Sequence, residues 1–179
     1  KIAITVGYNK NNLIKILNYR YNDKLKIDFI EIDWKKSPGN SIIKALKNIN
    51  EERLLVILGD TVINNNYFRF IDKQKDFVIS SKKFLDSSKW CIVETKNEKI
   101  ESIYDKKKQL SVGINFSALV GIYFFSSVKI LKNISKKYSQ YKKIEISSLL
   151  EKYKKNNKIT VKIEPNWYDV GHRNNYFSS

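Results

Sequence analysis

A run of five apolar residues, Leu54-Leu55-Val56-Ile57-Leu58, stops at Gly59-Asp60-Thr61, and no other stretch constrains the fold as strongly. A short continuous apolar run is expected of a strand buried on both faces, as in the middle of a parallel sheet. Gly59 permits a sharp turn or the close approach of a ligand, and Asp60 then stands at the carboxyl end of the strand. Open α/β sheets bind their ligands along that edge. A turn or capping role explains Asp60 without any ligand.

The flanking periodicities build a β-α-β-α-β order around this run. Ile2–Val6 reads as a strand and Gly7-Tyr8-Asn9 as a turn. Asn11–Tyr21 places Leu13, Ile14, Leu17 and Tyr21 at helical spacing, which predicts a helix with one buried face. Ile27–Ile32 is a second strand. Asp33–Asn40 is expected to be a loop, and Ser41–Ile49 a helix burying Ile42, Ala45, Leu46 and Ile49. Asn64–Asp72 reads as a short helix. Strands follow at Phe77–Ser80, Trp90–Thr95, Ile100–Tyr104 and Ala118–Phe125, the last with Gly121 inside it. Helices are expected over Val128–Tyr138 and Ile144–Tyr153, a strand over Ile159–Ile163 and a turn over Trp167–Gly171. The order predicts a three-layer, Rossmann-like α/β domain whose central sheet is mixed but mostly parallel. One domain over residues 1–179 is expected, with no repeat and no linker.

Composition narrows the class. The chain is 42% hydrophobic and 13% aromatic, a globular composition. No apolar run nears the roughly 20 residues of a membrane span, and no signal-peptide pattern opens the chain, so a cytoplasmic protein is expected. The net charge of +16 raises a nucleic-acid reading, but lysines are spread along the chain and no nucleic-acid motif is present. Excess positive charge also suits phosphate-bearing small substrates. The single cysteine, Cys91, lies in a strand pattern and reads as core. With one histidine, His172, there is no zinc pattern and no serine-hydrolase arrangement. The chain has no methionine, so Lys1 is not expected to be the natural start, and a fragment of a longer protein is expected.

Five stretches in order carry a family resemblance. They are Gly59-Asp60 after its strand; Trp90-Cys91-Ile92-Val93-Glu94 followed by Tyr104-Asp105-Lys106; Val120-Gly121-Ile122-Tyr123-Phe124-Phe125; Ile144-Glu145-Ile146-Ser147; and Trp167-Tyr168-Asp169-Val170-Gly171. Together they resemble the nucleotidyltransferases that couple a nucleoside triphosphate to a phosphorylated sugar or similar small metabolite, a GT-A-like fold. The closing segment is also similar to transferase domains of capsule-type proteins, some of which continue into a kinase-like domain. The family's glycine-rich triphosphate loop has no counterpart in the chain, and Lys107 stands where the family usually has proline.

The resemblance implies attack of a substrate phosphate oxygen on the α-phosphorus with release of pyrophosphate. It implies Mg²⁺ held by Asp60 and Asp169, and Lys106 meeting the acceptor's phosphate. Glu145 and Gly121 would face the acceptor, Gly59 would lie against substrate, and Gly39, Asn40 and Ser41 would recognise the base. Each has a plainer explanation: a turn carboxylate for Asp169, a solvated charge run for Lys106, helix-terminal charge for Glu145, packing for Gly121 and capping for Asn40 or Ser41. The capsule-type resemblance favours cytidine, with uridine and guanosine open. The competing readings are a glycosyltransferase using a finished nucleotide-sugar, against which Gly-Asp-Thr replaces the usual Asp-x-Asp, and a degenerate, non-catalytic nucleotide-binding module.

Overall fold

The computed structural model describes residues 1–63, 71, 75–83, 86–107, 110–111, 113–138 and 140–171. The chain order is β1 (Ile2–Val6), α1 (Lys10–Tyr21), β2 (Ile27–Glu31), α2 (Pro38–Leu46), β3 (Leu54–Ile57), β4 (Thr61–Val62) and β5 (Phe77–Ser81). It continues with β6 (Cys91–Lys96), β7 (Lys99–Asp105), β8 (Phe116–Phe125), α3 (Val128–Tyr138), α4 (Ile146–Lys154), β9 (Thr160–Ile163) and β10 (Tyr168–Asp169). The expected helix over Asn64–Asp72 lies, apart from Ile71, outside the described residues, as does His172. No described helix is long and apolar enough to cross a membrane.

The chain divides into two compact units: residues 1–50 with 129–149, and residues 51–128 with 150–179. In the first, β1 and β2 pair in parallel, from Ile2 with Ile27 to Val6 with Glu31. The helix α2 starts at Pro38, three residues before the expected Ser41, because proline fits the first helical position, where no backbone donor is needed. Its buried side chains are Ile42, Ile43 and Leu46. The helix α1 has the expected extent but not the expected buried face: none of its residues is buried, and Leu13 and Ile16 are exposed.

The second unit holds a six-stranded sheet in the order β3-β8-β5-β9-β7-β6, in which β8 also pairs with β6. The α/β class and the mixed sheet are as expected. Parallel pairing is confined to β1 with β2 and β5 with β9, and the other strand pairings described are antiparallel. The apolar run at Leu54 is therefore not an interior parallel strand. Among the described residues β3 pairs only with β8, antiparallel, and Ile57 is 48% exposed.

The ten-residue β8 is buried from Ser117 to Phe125, and Ala118, Val120, Ile122 and Phe124 join Phe77, Ile79, Ile92 and Trp167 in the core. A bulge interrupts its pairing with β5: Val78 faces Tyr123 and Ser80 faces Leu119, which leaves extra residues of β8 between them. Gly121 sits in that excess with φ +90°, a conformation L side chains rarely adopt. The hairpin β6–β7 turns through Asn97 and Glu98, both left-handed (φ 49° and 59°), the geometry of a two-residue turn that matches strand twist.

Candidate active site

The second unit brings Asp60 and Asp169 together through its two shortest strands. After β3, the Leu58 N–H donates to the Gly121 carbonyl (2.9 Å), and the Thr61 N–H closes a turn on the Leu58 carbonyl (3.3 Å). Thr61–Val62 then pairs antiparallel with Tyr168–Asp169, Asp169 lying opposite Thr61. The Val170 N–H donates to the Asp60 carbonyl at 3.0 Å and extends that pairing by one residue.

Gly171 is what allows the two carboxylates to converge. A Cβ there would lie 2.7 Å from Asp60 Oδ2 and 3.1 Å from Asp169 Oδ1. Its N–H donates to Asp169 Oδ1 at 2.9 Å, which fixes the orientation of that carboxylate. Asp169 is buried, at 5% exposure, whereas Asp60 is exposed. The segment is anchored by Trp167, which is buried and meets Trp90 edge-on at 5.0 Å. The sequence expectation of a simple turn over Trp167–Gly171 gives way to a strand, turn and carboxylate cluster.

This donor set suits a hard divalent cation. Mg²⁺ is commonly held by one or two carboxylates and takes its remaining oxygens from water and substrate phosphates. Among the described residues no three His, Cys, Asp or Glu side chains gather as an all-protein metal cage.

Other residues take their places around this pair. Beside Asp60, a Cβ at Gly59 would meet nothing within 4 Å among the described residues, which leave that space open. At Gly121, a Cβ would lie 2.9 Å from Thr61 Oγ1 and 3.0 Å from Leu58, and the Thr61 hydroxyl donates to the Val120 carbonyl. Packing thus accounts for Gly121. Burial pushes the Tyr123 hydroxyl above its usual range, with smaller electrostatic contributions from Cys91, Asp105 and Asp60. Asp105 ends β7, opposite Cys91 in the pairing with β6.

Lys106 follows Asp105, is exposed, and has a left-handed backbone (φ 48°). Lys107 behaves differently: its Nζ lies 5.4 Å from the centre of the Tyr104 ring, and its carbonyl accepts from Ser87 Oγ at 2.7 Å. Tyr104 in turn donates to Glu94 Oε2 at 2.9 Å. Lys108 lies outside the described residues.

Gly39, Asn40, Ser41 and Glu145 belong to the first unit. Ser37 precedes α2, and its hydroxyl, 2.6 Å from the Ile144 carbonyl, donates to it and accepts from the Ile144 N–H (2.7 Å). Asn40 Oδ1 also accepts from the Ile144 N–H (2.9 Å), and Asn40 Nδ2 donates to the Tyr141 carbonyl (3.3 Å). Gly39 faces the same backbone: a Cβ would lie 2.1 Å from the Ile144 oxygen and 3.0 Å from the Glu145 carbonyl carbon. The start of α2 is therefore locked onto the turn that carries Glu145. Ser37 was missed by the sequence reading; its place before a proline at a helix start was the available signal.

Solved structures share this fold. The chain superposes on a protein assigned as a glucose-1-phosphate thymidylyltransferase from Bacillus anthracis with a TM-score of 0.81 at 18% identity, covering 99% of this chain and 74% of that one. A UDP-glucose pyrophosphorylase gives 0.79 at 20% identity, covering 98% and 77%. The inositol-1-phosphate CTP transferase from T. maritima gives 0.75 at 13%, covering 97% and 71%. Among curated proteins no sequence match was found. The fold is thus the Rossmann-like α/β architecture that these proteins share.

The family model for nucleotidyl transferases matches residues 1–179, and the chain belongs to that family. It is a nucleotidyltransferase.

Proposed function

We propose that the protein joins a nucleoside triphosphate to a phosphorylated sugar or similar small metabolite, in the presence of Mg²⁺, and supplies an activated precursor for capsule or lipopolysaccharide. The observation that carries the reading is the convergence of Asp60 and Asp169 at Gly171. The three neighbours are named for a sugar or cyclitol phosphate or its nucleotide conjugate, which supports an acceptor of that class. Cytidine is the favoured base.

In the reaction an acceptor phosphate oxygen forms a bond to the α-phosphorus, the α–β bridging bond breaks, and pyrophosphate leaves. Two polyanions must meet, so positioning and charge neutralisation dominate the barrier. A bound magnesium would supply that neutralisation. Asp60 and Asp169 hold the cation, the Gly171 N–H keeps Asp169 in place, and the open space at Gly59 admits substrate. Lys106 meets the acceptor phosphate as a compact positive charge. Glu145 accepts hydrogen bonds from acceptor hydroxyls. Gly39, Asn40 and Ser41 form the base-facing segment, which the bonds to Ile144 hold rigid.

The test follows pyrophosphate release by the full-length natural protein with Mg²⁺. CTP, UTP, GTP, ATP and dTTP are supplied one at a time with sugar 1-phosphates, inositol 1-phosphate and phosphocholine. One productive pair is expected, with Asp60→Asn and Asp169→Asn each lowering turnover by about 100-fold or more. Release that survives both substitutions overturns the assignment of the carboxylates. No release with any pair overturns the transferase reading for these substrate classes.

A further inference from the structure

Two aromatic side chains stand exposed at the carboxyl ends of β1 and β2, within the first unit, and the packing of that unit does not use them. Tyr8 is 79% exposed and Trp34 57%, yet their rings meet edge to face with centroids 5.5 Å apart and planes at 62°. Of the other two tryptophans, Trp167 is buried and Trp90 half-buried, so Trp34 is the exception.

The pair is held in place from beneath. Gly7 lies under Trp34: a Cβ there would come within 2.8 Å of Trp34 Cβ, so glycine lets the indole lie across the end of β1. Tyr8 occupies the tip of a tight turn. Asn9 beside it is left-handed (φ 56°) and accepts from Asn12 Nδ2 at 2.8 Å, and the Lys10 N–H donates to the Gly7 carbonyl at 3.2 Å. The Trp34 loop is fixed by Asp33, whose side chain accepts from the Lys35 N–H (3.1 Å) and whose carbonyl accepts from the Lys36 N–H (3.0 Å). The Ile32 N–H closes the base of the loop on the Val6 carbonyl at 2.8 Å.

Cations border the rings. Lys35 Nζ lies 5.7 Å from the Trp34 centroid, and Lys36 is exposed next to it. A flat ring stacks on an aromatic face whatever its hydrogen-bond pattern, and lysines beside such a face favour a ligand that is planar and anionic at once. A nucleotide has both properties. The position agrees, since ligands of open α/β sheets gather at the carboxyl ends of the strands.

The geometry points to Tyr8 and Trp34 as a stacking platform for the nucleobase of a nucleotide, with Trp34 as the floor and Tyr8 as the side wall; Lys35, whose Nζ lies over the Trp34 ring, gives up that place to the base and pairs with its phosphates. This deepens the transferase reading and rests on it for the class of ligand. Because stacking is tolerant of base identity, the platform contributes affinity more than selectivity.

The experiment measures binding without turnover, on the full chain. Tryptophan emission excited at 295 nm is followed on titration with CTP, UTP, GTP and dTTP, and dissociation constants are measured in parallel by calorimetry. The expected result is quenching of the red-shifted Trp34 component, its protection from iodide, and loss of both signals in Trp34→Phe. Trp34→Ala and Tyr8→Ala are expected to weaken nucleotide binding by about 10-fold or more, with melting temperatures unchanged because both rings are exposed; Trp34→Phe retains most of the affinity. Calorimetric binding with unchanged Trp34 emission and wild-type affinity in both alanine variants overturns the platform and leaves the transferase reading standing. Binding of none of the four nucleotides overturns both.

Discussion

Gly39→Ala tests the lock at the start of α2. The new methyl carbon would sit 2.1 Å from the Ile144 carbonyl oxygen and 2.8 Å from its carbon, both backbone atoms. Ordinary contact with that oxygen requires more than an ångström of movement, which no rotamer change can provide. The backbone of Ile144 takes part in three hydrogen bonds: its carbonyl accepts from Ser37 Oγ at 2.6 Å, and its N–H donates to Ser37 Oγ at 2.7 Å and to Asn40 Oδ1 at 2.9 Å. At about 1 kcal/mol for each such bond, separating the elements loses about 3 kcal/mol. Retaining the bonds instead leaves an overpacked contact costing about 1–3 kcal/mol. The two routes predict a loss of about 1–3 kcal/mol, a sizeable share of the roughly 5–15 kcal/mol that holds a domain together. At roughly 2–4 °C per kcal/mol for a chain of this size, the midpoint should fall by about 2–12 °C. Urea unfolding followed by circular dichroism measures the change directly. A Gly39→Ala variant with wild-type stability and impaired nucleotide binding would refute the packing argument and assign Gly39 wholly to the ligand.

Gly59→Ala should behave in the opposite way, because its Cβ meets nothing among the described residues. The midpoint should stay within about 1 °C, while KM for the triphosphate rises if substrate occupies that space; unchanged kinetics would show that it does not. Gly121→Ala combines a φ of +90° with contacts of 2.9–3.0 Å to Thr61 and Leu58, and should cost about 2 kcal/mol or more in denaturant unfolding. Burial and the Asp76 carboxylate raise the Tyr153 hydroxyl to about 12, and it donates to Asp76 Oδ1 at 2.9 Å. Its folded pKa exceeds the unfolded value of about 10, so its stabilisation is complete below pH 10 and is lost as pH rises towards 12. Tyr153→Phe should therefore be less stable than wild type by about 1–2 kcal/mol at pH 8, with the gap closing towards pH 12; a gap independent of pH would contradict the assignment.

Local signals in the sequence located the elements wherever a period had room to repeat. The helix α3 was expected over Val128–Tyr138 and is found there, since Val128, Leu131 and Ser135 recur on one buried side. The strands expected at Trp90–Thr95 and Ile100–Tyr104 are found as the hairpin β6–β7. The α1 periodicity misled because Ile16 and Tyr19 fall outside the predicted face, so helical spacing gave no contrast between a buried and an exposed side. The run Leu54–Leu58 correctly gave a strand but not its place in the sheet. Apolarity reports a tendency to be covered; it does not say by which strand, nor on how many edges.

Family order and the residues Gly59-Asp60 and Trp167-Tyr168-Asp169-Val170-Gly171 were legible without coordinates, because short motifs keep their chemistry whatever surrounds them. Their meeting was not. It depends on β4 and β10, two residues each, too short to show any period, and on Gly171 having no side chain where two carboxylates converge. The lock between Ser37, Asn40 and Ile144 is likewise a contact across more than a hundred residues. Sequence thus determined the elements and the reactive groups, which are set by neighbours along the chain. Tertiary structure alone decided which groups share a site, because pairings between distant segments are fixed by the packing of the whole unit.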